Sequence, residues 1–182
     1  MSALSDNNIV LVTNRTEQDV AYVKELLVKL ASGIATPDEI SEWNSCTLKG
    51  AYNYTDMNRV IIAVGVIADA LKKAGYTPDI QPIEIKHNGV VSNQYIEGDI
   101  PDVEYPDETF QNVLRPMIHN LKEIRQALGV PDEWMPKAPN SYVNLDYKKA
   151  NDIERILAIV DDILDKIQSA VFYCNEVLCG EV

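Results

Sequence analysis

KGAYNYTDMNRVIIAVGVIADALKKAGY, residues 49–76, is the stretch that decides the fold. Met57, Val60, Val64, Ile67 and Leu71 recur at alternating steps of three and four, which places them on one face of a helix. Thr55 or Asp56 can cap its start through a short side-chain oxygen. Lys72 and Lys73 fall in the last turn, where the helix dipole favours cations. Gly75 supplies a left-handed stop and Pro78 prevents resumption.

Outward from this helix, the chain reads as further amphipathic segments. Residues 1–8 are polar and read as flexible, and Ile9-Val-Leu-Val12 has the length and β-branching of a short strand. Thr16 opens a helix to about Ser32, with Val20, Val23, Leu27 and Leu30 on the buried side and Gly33 as its stop. Thr36-Pro-Asp-Glu39 combines a cap, a first-turn proline and a third-position glutamate, so a capping box and a short helix follow. Ile40 and Trp43 are expected to point inward from it, as a lid over the end of a bundle. Ile80 to Lys86 alternates apolar and polar residues, and Asn88-Gly89 suits a tight hairpin turn. Pro82 confines the first strand to an edge.

The acidic run Glu97–Glu108, with Pro101 and Pro106, reads as a solvated connection. Phe110, Leu114, Met117, Leu121, Ile124 and Leu128 then define another long helix, with a kink expected at Pro116. Trp134 anchors a proline-rich loop. Asp146 caps the final helix, whose seam is Ala150, Ile153, Leu157, Val160, Leu164, Ile167 and Val171. These elements predict one mainly α domain over 1–182, an irregular helical bundle of three long helices and one short. A small β-hairpin and a short N-terminal strand complete it.

The formal charge is −12, from 28 acidic and 16 basic residues. That surface repels nucleic acid and anionic membranes, and no apolar run reaches spanning length. Three cysteines, Cys46, Cys174 and Cys179, make neither a zinc pattern nor a paired framework, which fits a reduced cytosolic origin. His87 and His119 stand in no recognisable catalytic turn. Asp161 and Asp165 share a helix face and could hold a divalent cation, although solvated helix faces carry such pairs routinely. No glycine loop is built for phosphate. The residues therefore predict no enzyme, no catalytic residues, no cofactor and no metal.

Four runs carry a resemblance. Lys49-Gly-Ala-Tyr-Asn-Tyr-Thr-Asp-Met-Asn-Arg-Val60, Leu145-Asp-Tyr-Lys-Lys-Ala-Asn-Asp-Ile-Glu-Arg-Ile-Leu157 and the ending Phe172–Val182 resemble small tail-module structural proteins of phages and prophages of Gram-positive bacteria. Asn14-Arg-Thr16 with Asp19-Val20 is similar more weakly. The resemblance implies a virion structural or assembly protein, made in the host cytoplasm and acting by docking. Its partners would be other tail structural proteins, with self-association as a further mode. An acidic inhibitor that mimics DNA, or a small enzyme with an unrecognised site, are the competing classes. The tail 173–182 is too apolar for a free end. Phe172, Tyr173, Val177, Leu178 and Val182 are the expected partner-docking residues, adding as a strand to a neighbouring sheet edge.

Overall fold

Asn53, and not Thr55 or Asp56, caps the central helix. Its side chain accepts from the Thr55 N–H at 2.8 Å, and Asp56 closes the capping box by accepting the Asn53 N–H at 3.1 Å. The computed structural model describes residues 2–87, 90–94, 108–142 and 145–178, and of 86–87, 90–91, 108–113 and 171–178 the backbone alone. The central helix, α4, spans Tyr54–Lys73; α1 is Ala3–Asp6, α2 Glu17–Ala31, α3 Pro37–Asn44, α5 Glu108–Ala127 and α6 Tyr147–Leu178.

The seam of α4 is buried as its spacing requires: Met57, Val60, Val64, Ile67 and Leu71 are all sequestered. Gly75 takes a φ of +90°, and the Tyr76 N–H closes back on the Leu71 carbonyl at 2.9 Å. Facing α4 are Ile153, Ile156, Leu157, Val160 and Leu164 of α6 and Leu114, Met117, Leu121 and Ile124 of α5. The three helices pack pairwise, with α4 and α6 the most extensive pair. From Ile153 to Leu164 on α6 and from Leu114 to Ile124 on α5, the 3,4 seams are thus satisfied within one chain, while Ile167 is half-buried. Asp146 caps α6 by accepting the Lys149 N–H at 2.8 Å. Pro116 lies inside α5, which continues on both sides of it.

Ser2 caps the single turn α1, Leu4 is buried, and α1 packs on α4 and α6.

Both β features expected from the sequence are corrected. Ile9–Val12 is extended but forms no strand, because side chains and not a second strand meet its backbone. The Val12 N–H, for instance, donates to Glu154 Oε2 at 2.6 Å. The alternating run from Ile80 does not pair either until Ile85. Asn120 of α5 takes both backbone groups of Gln81, at 2.7 and 2.9 Å, and Glu123 accepts the Asp79 N–H. That staple removes the segment from any ladder. The β structure among the described residues is the three-residue pair β1 (Ile85–His87) and β2 (Val90–Ser92), with Ile85 opposite Ser92. The Asn88-Gly89 turn and the acidic connection 97–107 lie outside the described residues.

α2 and α3 form an arm. Thr16 with Asp19, and Thr36 with Glu39, make the two capping boxes. The buried side of α2 is Val23 and Leu26, while Leu27 is 44% exposed. In α3 nothing is buried, and Ile40 is 43% exposed where it was expected inside. The short helix packs on α2 and is no lid on the bundle: no residue of either helix belongs to the central core. Lys29 joins the pair by bonding Glu39 at 2.8 Å, and Tyr22 does so by donating to Glu42 at 2.5 Å.

Candidate functional site

Where the arm leaves the bundle, four charged side chains meet out of water. Arg15 ends the extended N-terminal segment, Asp56 and Arg59 sit on the first turns of α4, and Glu154 lies on the second turn of α6. Arg15 is 4% exposed and Glu154 fully buried. Arg15 Nη2 donates to Glu154 Oε1 at 2.7 Å and to Asp56 Oδ1 at 2.8 Å. Its Nη1 reaches the Val12 carbonyl at 2.5 Å. Arg59 grips both oxygens of Glu154, through Nε and Nη2, each at 2.9 Å, and also bonds Asp56.

The cluster is neutral, two cations against two anions, and each carboxylate is held by both guanidinium groups. Burying charge is costly unless every lone pair is used. Glu154 meets that condition with four donors: two from Arg59, one from Arg15 and the Val12 N–H. Burial works against the charge of Arg59, but its bonds to Glu154 and the charges of Glu154 and Asp56 outweigh this and raise its pKa. Asp56 also carries the capping bond to Asn53, so the start of α4 and the cluster share one carboxylate.

Around the charges, Asn151 pairs with the backbone of Arg15, and the Tyr52 ring lies 5.4 Å from the Arg15 guanidinium carbon. Burial, and then the neighbouring Tyr142, Glu154 and Asp56, push the Tyr52 phenol pKa up. Among the described residues, two buried side-chain atoms, Arg15 Nε and the Tyr52 hydroxyl, have no hydrogen-bond partner. Beside the cluster, Gly50 packs beneath the first turn of α2, where a Cβ would stand 2.0 Å from the Asp19 carbonyl oxygen. Chemically the arrangement is a clamp. Its carboxylates are engaged by donors, and it joins the N-terminal segment, α4 and α6.

The expected docking residues fall elsewhere. Phe172, Tyr173, Val177 and Leu178 lie on the last turns of α6, which continues to Leu178 within the segment expected to be a strand, since no glycine interrupts residues 147–178. Their side chains, and Val182, lie outside the described residues. His119 is surface-placed, with Nε2 2.9 Å from the Asp79 carbonyl, and His87 ends β1. Cys46 adopts a φ of +53° and offers its carbonyl to Asn53 and Thr55. Among the described residues no group of three or more metal-ligating side chains occurs. Asp161 instead accepts the Leu4 N–H at 3.3 Å, and Asp162 pairs with Lys166.

The cluster itself was missed in the sequence, though a signal was present. Ala150, Glu154, Leu157, Asp161 and Leu164 follow the same 4,3 spacing as the apolar seam, so two carboxylates stand on a buried stripe. A charge at such a position demands a buried partner. No protein-family model, curated protein or solved structure matches this chain.

Proposed function

We propose that the chain is a structural or assembly component of a phage or prophage tail, working by protein–protein docking and not by turnover. One observation carries this reading. Every charged side chain of the clamp, with Tyr52, Asn53 and Asn151, comes from the three runs Asn14–Thr16, Lys49–Val60 and Leu145–Leu157 that resemble tail-module proteins. Gly50 comes from the second of these runs, and the Asp19 carbonyl it packs against belongs to Asp19-Val20, the other part of the weaker similarity. The resembling residues therefore build the scaffold, which is what a family defined by assembly would keep in common.

The test is to follow the chain into particles. Phage or prophage particles of the encoding genome, purified on a gradient, should contain it at fixed stoichiometry to the tail proteins. A chain that stays in the particle-free lysate would end the proposal.

A further inference from the structure

Five of the eight large apolar side chains that are exposed among the described residues lie between positions 22 and 40: Tyr22, Leu27, Val28, Ile34 and Ile40. Leu27, Val28 and Ala31 share one side of α2 near its C-terminus by their spacing. Ile34 follows directly, held there by its N–H bond to the Lys29 carbonyl at 3.0 Å behind the left-handed Gly33. Val28 is 65% and Ile34 69% exposed. Both keep most of their apolar surface in water. The buried contacts of the arm are made by Val23 and Leu26, roughly a quarter-turn or more away from Val28 by helical spacing.

The arm is also acidic. Glu17, Asp19, Glu25, Asp38, Glu39 and Glu42 stand against two cations, Lys24 and Lys29, and Lys29 is already engaged by Glu25 and Glu39. A second copy would bring the same acidic arm, and a chain of charge −12, against this one. Like charges brought together at an apolar contact suppress association. We propose that this outer face of α2 seats a basic amphipathic helix of another protein, its apolar side on Val28 and Ile34 and its cations toward the carboxylates that outnumber Lys24 and Lys29 on α2 and α3. Such seating requires no role in a particle.

The probe is a synthetic amphipathic helix with one leucine face and lysine flanks, titrated by fluorescence against the full chain. The expected result is saturable, salt-weakened binding, absent for the same peptide with glutamate flanks. Val28→Glu with Ile34→Glu should weaken binding by about tenfold or more, although it makes the arm more acidic. Val28→Ser with Ile34→Ser, which adds no charge, should weaken it similarly, both with unchanged melting. Unweakened binding by the glutamate variant would reveal mere charge attraction and overturn the proposal. So would equal binding of the two peptides, or no binding to the native chain. A native dimer that the variants turn into monomer would overturn it too, by making a second copy the occupant.

Discussion

Arg15 and Asn151, 136 positions apart, exchange two hydrogen bonds: the Arg15 N–H donates to Asn151 Oδ1 at 2.9 Å, and Asn151 Nδ2 donates to the Arg15 carbonyl at 2.8 Å. The side-chain amide thereby gives an extended residue what a neighbouring strand would give it. Asn120 treats Gln81 in the same way. A stretch that reads as a strand, Ile80–Lys86, and the residue three beyond another, Ile9–Val12, are thus tied to helices by asparagines, without a sheet.

Asn151→Ala removes both partners of the buried Arg15 backbone. It should cost about 1–3 kcal/mol, since an unsatisfied buried donor loses its full solvation. Urea denaturation would measure it. Asn151→Asp keeps the acceptor but loses the donor, and adds a carboxylate beside Glu154, so it should rescue little.

Glu154→Leu should be more damaging, by about 3–5 kcal/mol, because two guanidinium groups are left sharing one carboxylate in a dry site. The double variant Glu154→Leu with Arg59→Met should recover part of this loss. A double variant as unstable as the sum of the two singles would mean that the pair is not coupled.

Tyr52→Phe removes a buried hydroxyl that has no partner among the described residues, so melting at neutral pH should stay level or rise slightly. The pH dependence follows from the raised phenol pKa. Unfolded, the phenol ionises near pH 10. Folded, it ionises higher, so its contribution is whole below pH 10 and is lost as pH climbs toward the folded value. Melting temperature should fall more steeply above pH 10 in the native chain than in Tyr52→Phe. Parallel curves would place the loss on other groups.

Gly50→Ala should act locally. The added Cβ meets the Asp19 carbonyl at 2.0 Å, so the first turn of α2 must move, at a cost of about 1–3 kcal/mol. Hydrogen exchange should show the amides of α2 and α3 losing protection while those of α4 and α6 keep theirs.

Val160→Asp puts an unpaired carboxylate at a fully buried position between α4 and α6 and should unfold the domain. A soluble variant with native melting would show that this seam is not core.

The five longer helices, the caps at Thr16, Thr36 and Asp146 and the apolar seams were legible because periodicity and capping are local properties, whereas the α4 cap falls on Asn53 and not on Thr55 or Asp56. The placement of the arm was not. Leu27 fits the apolar stripe of α2 as well as Leu26 does, and only the position of the bundle decides which is covered. Ile9–Val12 and Ile80–Glu84 have strand composition, and what meets their backbone is a set of side chains: Glu154, Asn120 and Glu123 from distant helices, and Arg15 from just beyond Val12. The clamp was half legible. Glu154 and Asp161 on a buried stripe announce that a partner must exist, but nothing local to α6 points to Arg15 or to the N–H of Leu4.

Because the clamp draws on residues 15, 56, 59 and 154, its completion is also a matter of timing. On the ribosome Arg15, Asp56 and Arg59 emerge long before Glu154, and until then two guanidinium groups have a single carboxylate between them. The Val12–Arg15 segment cannot settle in that interval, for Glu154 and Asn151 provide its acceptors. The closing of so long a loop adds little entropy cost per added residue, so the delay is set by translation and not by the search. A nascent chain halted before residue 154 should be open to proteases at Ile9–Arg15, and one carried past α6 should be closed there.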